Sequence, residues 1–300
     1  MGQPLRCLNR ERECLSKEDA NSEDSTCYSG VVVRVPYYVA WPVLLAFTYG
    51  MLYYFTNRAI YYPEKYPGGY WDEQQSLGAE DVWLETHDHV HIHGWWVPRE
   101  GARLATLYLH GNAGNITHRA PQIREITAAG SSILMLDYRG YGKSAGKPSE
   151  NGLYIDSESG YLYLLGLGYH ANQIVIHGES LGTAVAIDLA SRRPCAALVL
   201  EAPFSSASDV AGTVLPFVGP WLVRSFNSLP KIRYIVPPKL FIHGDRDDIV
   251  PLRLGQKLFA AAQARKEFWV VEGAGHNDIL YTAGPRYRQR LIQFYSTLLN

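Results

Sequence analysis

The stretch Gly178-Glu179-Ser180-Leu181-Gly182 constrains this chain more than any other. The apolar run Ile174-Val175-Ile176 leads into it, and Thr183, Ala184, Val185 and Ala186 follow. A G-x-S-x-G pentapeptide between a strand and a helix makes a turn so tight that the serine backbone is strained. Residues without bulk two positions before and two after the serine relieve the crowding. The Ser180 hydroxyl then stands at a helix N-terminus, above the carboxyl edge of a sheet, where it can act as a nucleophile. The bland alternative is a glycine-rich structural turn, which would need no chemical partners elsewhere in the chain.

Partners are present. A serine hydroxyl needs a base, and the base needs an orienting acid. With this turn they follow in the order Ser, acid, His, on loops after later strands. The strand 239–242 runs into His243-Gly244-Asp245-Arg246-Asp247-Asp248-Ile249-Val250-Pro251, and the strand 267–271 runs into Glu272-Gly273-Ala274-Gly275-His276. The expected base is His276 and the expected acid is Asp247, with Asp245 and Asp248 as neighbouring competitors and Glu201 as a more distant substitute. An oxyanion needs backbone donors. One is the N–H of Leu181, directly after the nucleophile. The other is assigned to Asn112, in the loop His110-Gly111-Asn112-Ala113-Gly114-Asn115 that follows Leu107-Tyr108-Leu109.

Apolar runs at 81–86, 90–97, 104–109, 132–136, 173–177, 196–200, 239–242 and 267–271 read as strands, the first two as a hairpin across His87-Asp88-His89. Helical spacing appears at 118–129, 157–167, 181–191, 252–264 and 285–299. This alternation predicts an α/β fold with a mostly parallel central sheet flanked by helices. An apolar fraction of 47% supports a real core, and a formal net charge of −1 gives no electrostatic case for nucleic acid. Cys7, Cys14 and Cys27 lie near the start and only Cys195 lies in the body, so the fold does not depend on a disulfide there.

Residues 1–34 are polar, mixed in charge and without an apolar period, and read as a flexible tail. From Val35 to Thr56 there is no ionisable side chain other than tyrosine. A helix over this run spans about 33 Å, close to the thickness of a bilayer core. Tyr37, Tyr38, Trp41, Tyr53 and Tyr54 sit near its ends, as interfacial rings do. Residues 35–57 are therefore expected to be a transmembrane signal anchor, with a catalytic domain over 58–300. The alternative is an apolar helix that packs on the domain or lies along a membrane surface. The distant Arg6, Arg10 and Arg12 tilt the expected orientation toward an inside N-terminus and a non-cytosolic domain. The segment 216–223, apolar and broken by prolines, is read either as a small flexible wall over the site, suited to an acyl chain, or equally as a buried structural helix.

His110-Gly111-Asn112-Ala113-Gly114-Asn115 with His118-Arg119, then Asp137-Tyr138-Arg139-Gly140-Tyr141-Gly142, Gly178-Glu179-Ser180-Leu181-Gly182 and Glu201-Ala202-Pro203-Phe204 resemble the Bem46-like branch of the α/β-hydrolases. That branch is similar to the group of α/β-hydrolase domain-containing proteins 12, 13 and 17. The resemblance runs from about Tyr62 to the C-terminus. It implies an α/β-hydrolase fold, an N-terminal membrane-anchor helix, and a serine hydrolase acting on acyl esters, thioesters or lysolipids, without a cofactor or metal. One departure stands out: the branch usually has Asp-Gly at the first hairpin, where this chain has Asp88-His89. A peptidase or amidase of the same fold and a non-catalytic membrane scaffold are the competing readings.

Three further features are set aside. Gly142-Lys143-Ser144 ends like a phosphate-binding loop, but Asp137 stands where that motif needs its first glycine. His87, His89, His91 and His93 alternate, yet a turn is expected to interrupt them before they can share a metal. Asn115-Ile116-Thr117 is a glycosylation triplet inside the expected oxyanion loop, where a glycan would obstruct the site.

Overall fold

The computed structural model describes residues 37–263 and 265–299. The tail expected over 1–34 lies outside the described residues. By packing, the chain divides into two units, Met1–Leu44 and Leu45–Asn300.

The second unit is built on an eight-stranded sheet. Its strands are β1 (Glu80–Glu85), β2 (His91–Val97), β3 (Leu104–Leu109), β4 (Ser131–Leu136), β5 (Ile174–Glu179), β6 (Ala197–Glu201), β7 (Lys239–Gly244) and β8 (Lys266–Val271). Their spatial order is β1-β2-β4-β3-β5-β6-β7-β8. Only β2 runs antiparallel to its neighbours; the pairs from β4 to β8 are parallel. Every residue of β3, β4 and β7 is buried, which is why these segments read as continuous apolar runs: parallel strands are covered on both faces.

Alternate residues feed two cores. Leu107, Leu109, Leu134, Leu136 and Ile176 face one side, with Leu153 of α3 (Glu150–Gly166), Val185 of α4 (Leu181–Arg192) and Leu258 of α6 (Leu252–Ala261). Tyr108, Met135, Val175, Val199 and Ile242 face the other, with Ile123 of α2 (Ala120–Ala128) and Leu291 of α7 (Pro285–Ser296). Each such side chain taken wholly out of water contributes about 1.5–3 kcal/mol, so helices are held on both faces of the sheet, while the parallel strand direction gathers the loops after β3, β5, β6, β7 and β8 at one end.

The expected hairpin forms, with Glu85 opposite His91. His89 occupies the left-handed region at φ 60°, the conformation that glycine adopts most cheaply. Asp88 beside it receives both prongs of the Arg139 guanidinium at 2.7 and 2.9 Å, so the turn is held by an ion pair as well as by its backbone.

The N-terminal segment departs from expectation. The helix forms, as α1 (Tyr37–Arg58), but among the described residues no helix is long and apolar enough to cross a membrane. Absence of charge was the signal used, and it is not the same as apolarity. The run contains five tyrosines, Thr48, Gly50 and Thr56, and tyrosine favours an interface over hydrocarbon. The second half of α1 bonds to the rest of its unit: the Tyr49 hydroxyl donates to the Trp221 carbonyl at 2.8 Å and the Thr56 hydroxyl to that of Leu222 at 3.2 Å.

Candidate active site

β5 ends in the pentapeptide and α4 begins at Leu181. Ser180 has φ 49° and ψ −116°, a strained conformation for a non-glycine residue. Its N–H donates to the Glu201 carbonyl at the end of β6, 2.8 Å away, which anchors the turn to the neighbouring strand. The flanking glycines are required by contact. A Cβ on Gly182 would stand 1.8 Å from the Leu109 carbonyl oxygen, and one on Gly178 would stand 2.4 Å from the Gly182 oxygen. Both collisions are with backbone, which cannot rotate away. Gly182→Ala is accordingly expected to cost about 3 kcal/mol, the upper end for overpacking, and a thermal melt should show a fall of roughly 6–12 °C. An unchanged melt would mean that α4 can slide along β3.

The structure brings together three residues that lie far apart in the chain. His276 Nε2 is 2.9 Å from Ser180 Oγ, and His276 Nδ1 is 2.7 Å from Asp247 Oδ2. Asp247 is buried, and its other oxygen accepts the N–H groups of Ile249 and Val250 at 3.0 and 2.7 Å. Burial by itself would raise its carboxyl. Hydrogen bonds from His243 and His276, the charge of His276 and the Val250 N–H outweigh burial and hold it well below the ordinary carboxylate range. The competing acids sit elsewhere. Asp245 is exposed and accepts from the Gly273 N–H; Asp248 is exposed; Glu201 is buried against the Tyr287 hydroxyl.

His243, which sequence reasoning passed over, lies behind the acid. Its Nε2 is 2.8 Å from the Val250 carbonyl and 3.3 Å from Asp247 Oδ2, so one ring nitrogen braces both the carboxylate and the loop that carries it. The signal was available, because His243 stands in the last turn of an apolar strand, four residues before Asp247.

Asn112 and Leu181 both line the cavity at Ser180. The Leu181 N–H belongs to the first turn of α4, where no intrahelical partner exists. The peptide between Gly111 and Asn112 is oriented by a second residue that sequence reasoning missed. His110 Nδ1 bonds the Gly111 carbonyl at 2.7 Å, and in a trans peptide the N–H of Asn112 then points the opposite way. Desolvation, working against the Asp137 charge, pushes His110 down to about 4, so at neutral pH the ring is uncharged and its Nδ1 proton serves the carbonyl. The loop is pinned from outside as well. The Asn112 carbonyl accepts from the Tyr62 N–H at 3.0 Å and the Tyr141 hydroxyl at 2.8 Å, and its side-chain amide donates to the Ile60 carbonyl at 3.0 Å. A parallel two-residue pairing of Tyr62–Pro63 with Ala113–Gly114 completes the clamp.

Arg119 ties this loop to the serine turn. Its fork meets Glu179 at 3.0 and 2.9 Å, and its third nitrogen donates to the Ala113 carbonyl at 3.2 Å. The Tyr108 hydroxyl adds a bond to Glu179 at 2.9 Å. Burial would raise Glu179; the Arg119 charge and these hydrogen bonds bring it down to about 2.

Ser180 and His276 open into a cavity of about 380 Å³ walled by Ile60, Phe204, Val210, Ala211, Val223 and Ile249. Of the segment 216–223 only Val223 lines the cavity, and Ala207, Val210 and Ala211 of α5 (Ala207–Val214) join it. Phe217 is 91% exposed, because Gly219 and Leu222 turn inward and leave the preceding residues facing solvent. Asn115 is wholly buried, bonded to the carbonyls of Glu64 and Gly68, so its triplet is out of reach of a glycan in the folded chain. Among the described residues no cluster of three or more His, Cys, Asp or Glu could hold a metal ion. Chemically, a serine hydroxyl in contact with a buried His–Asp pair can attack a carbonyl carbon, and backbone N–H groups of the cavity wall are the type of donor that holds the resulting oxyanion.

Comparison with known proteins agrees with this architecture. Residues 101–235 match the family described as "Serine aminopeptidase, S33". Protein bem46 of Schizosaccharomyces pombe is 34% identical over 76% of this chain and 82% of its own length. The α/β-hydrolase domain-containing protein WAV2 of Arabidopsis thaliana is 34% identical over 73% of this chain and 79% of its own length. Among solved structures, an esterase of Pyrococcus furiosus superposes with a TM-score of 0.69 at 22% identity, covering 79% of this chain and 98% of that one. In its sequence, its sheet order and its relatives, the chain belongs to the Bem46-like branch of the α/β-hydrolases.

Proposed function

We propose that the chain is a serine hydrolase that cleaves carboxylic esters or thioesters of apolar acyl groups through an acyl-enzyme on Ser180. His276 is the base, Asp247 orients it, and the N–H groups of Leu181 and Asn112 receive the oxyanion. The observation that carries the reading is the His276 ring, in hydrogen-bond contact with both Ser180 and Asp247 at the edge of an apolar cavity. The description of the matched family raises an aminopeptidase as the second reading. That activity needs an anionic group near the substrate's free amine, and among the described residues lining the cavity there is no Asp or Glu. This favours an uncharged acyl group.

The test is a series of p-nitrophenyl esters beside aminoacyl p-nitroanilides, with fluorophosphonate labelling of the same preparation. A methylene placed against an apolar wall is worth about 0.8 kcal/mol, close to fourfold. The kcat/KM is therefore expected to climb from acetate toward octanoate and level off once the cavity is filled. A preference for the anilides would favour the peptidase. Absence of labelling in folded protein would favour a scaffold.

A further inference from the structure

A second cavity, of about 560 Å³, shares a wall with the first and has a different chemistry; its lining includes Arg58, Tyr61, Glu150, Arg224 and Ser225. We propose that it is an anion site for a phosphate-type group carried on the acyl substrate. The proposal rests on the hydrolase reading above and adds to it the polar end of the substrate.

Two segments build the common wall. Ile60 and Val223 line the cavity at Ser180, while the next residues, Tyr61 and Arg224, line the second one. The two cavities are therefore neighbours, divided by the segments 60–61 and 223–224. Two arginines reach the second, and among the described residues neither is in an ion pair with a carboxylate; Arg58 lies over Tyr54, to whose hydroxyl one of its nitrogens donates at 3.0 Å, and Arg224 lies over Trp221, with 5.6 and 5.4 Å to the centroids. Ring contact leaves guanidinium N–H groups directed outward in the plane, the geometry that grips phosphate oxygens two at a time. The Ser225 hydroxyl oxygen is buried and has no hydrogen-bond partner. The one acid present, Glu150, is engaged elsewhere: a single carboxylate oxygen accepts the Phe226 N–H at 2.8 Å and the Tyr154 hydroxyl at 2.7 Å. Two planar cations and a hydroxyl suit a tetrahedral anion better than a neutral head.

Calorimetric titration of the full chain with decyl phosphate, decanol and inorganic phosphate tests this without requiring turnover, so its failure is separable from failure of the hydrolase reading. Decyl phosphate is expected to bind about tenfold or more tighter than decanol, the scale of one charge-assisted contact. That advantage should vanish in the double variant Arg58→Gln, Arg224→Gln and return with lysine at both positions. Hydrolysis of p-nitrophenyl butyrate, which has no anionic group, should change by less than about twofold in either variant, because both arginines are exposed and away from Ser180. If inorganic phosphate binds as tightly as decyl phosphate, the site stands as one for a free anion; if it binds far more weakly, the site stands as one for a lipid headgroup. Equal affinity for decyl phosphate and decanol, or a glutamine variant that binds decyl phosphate as the natural protein does, overturns the proposal.

Discussion

Replacing Ser180 with alanine is expected to lower kcat on p-nitrophenyl butyrate by about 10⁶-fold and to abolish fluorophosphonate labelling, and Asp247→Asn is expected to lower kcat by about 10⁴-fold. The two losses differ because the residues do different work. In the proposed mechanism Ser180 supplies the bond-forming oxygen, the hydroxyl that His276 Nε2 contacts. In that reading Asp247 reaches the substrate only through the base. Its carboxylate accepts at His276 Nδ1, which keeps the proton there and leaves Nε2 to face the serine. An asparagine amide turned with its NH₂ toward His276 would reverse that tautomer, while its oxygen could still serve the N–H groups of Ile249 and Val250. The asparagine variant should therefore fold, with nearly unchanged KM, and fail in kcat. Asp245→Asn is the control, since Asp245 is exposed and bonded only to the Gly273 N–H; its kcat should stay within about threefold. A tenfold or smaller loss in Ser180→Ala would remove the nucleophile from the reading, and a collapse in Asp245→Asn matched by a normal Asp247→Asn would move the acid.

What was legible in the sequence was what local rules dictate. The strand–turn–helix at 174–186 forces Ser180 into place through contacts between near neighbours, and the acid and base follow strand ends that are themselves apolar runs. What escaped were roles made by tertiary contact. His243 and His110 look like loop histidines until β7 and β3 bring them beneath Asp247 and Gly111. Arg119 was noticed as part of a motif, but its role depends on meeting Glu179 from 60 residues away. The expectation for 35–57 went further than its signal. A run without charges was equated with an apolar one, although tyrosine hydroxyls still seek partners, and Tyr49 finds one in the Trp221 carbonyl. One reading put the wall of the cavity in the apolar segment 216–223, whereas packing turned part of that segment outward and used α5 beside Val223.

Glu179→Gln should cost as much stability as Gly182→Ala and activity as well, and it is the means to learn whether the Arg119 pair acts through charge. The two side chains are only 13% and 18% exposed, so neither charge is well served by water. Removing one charge strands the other, at a cost of about 3 kcal/mol, the lower end for buried pairs given the remaining exposure, or roughly 6–12 °C in a melt. Glutamine keeps the volume and can still accept from Tyr108, so packing alone predicts a small effect. Because Arg119 also holds the Ala113 carbonyl, loosening it frees the oxyanion loop relative to the serine turn. The expected kinetic consequence is a fall in kcat of about 10²-fold, the scale of one lost oxyanion donor, with KM nearly unchanged. Acid separates charge from packing. Glu179 is held at about 2 in the folded protein, against about 4.3 for a free glutamate. A depressed folded value gives stability that is fully present above the unfolded value and is lost as pH falls through the folded one. The gap in denaturant midpoint between the natural protein and Glu179→Gln should therefore be widest near pH 6, narrow below about pH 4.3, and be nearly closed by pH 2. A gap that keeps its width from pH 6 to pH 3 would mean that the pair is held by shape, and Arg119 would then have no electrostatic part in placing the oxyanion loop.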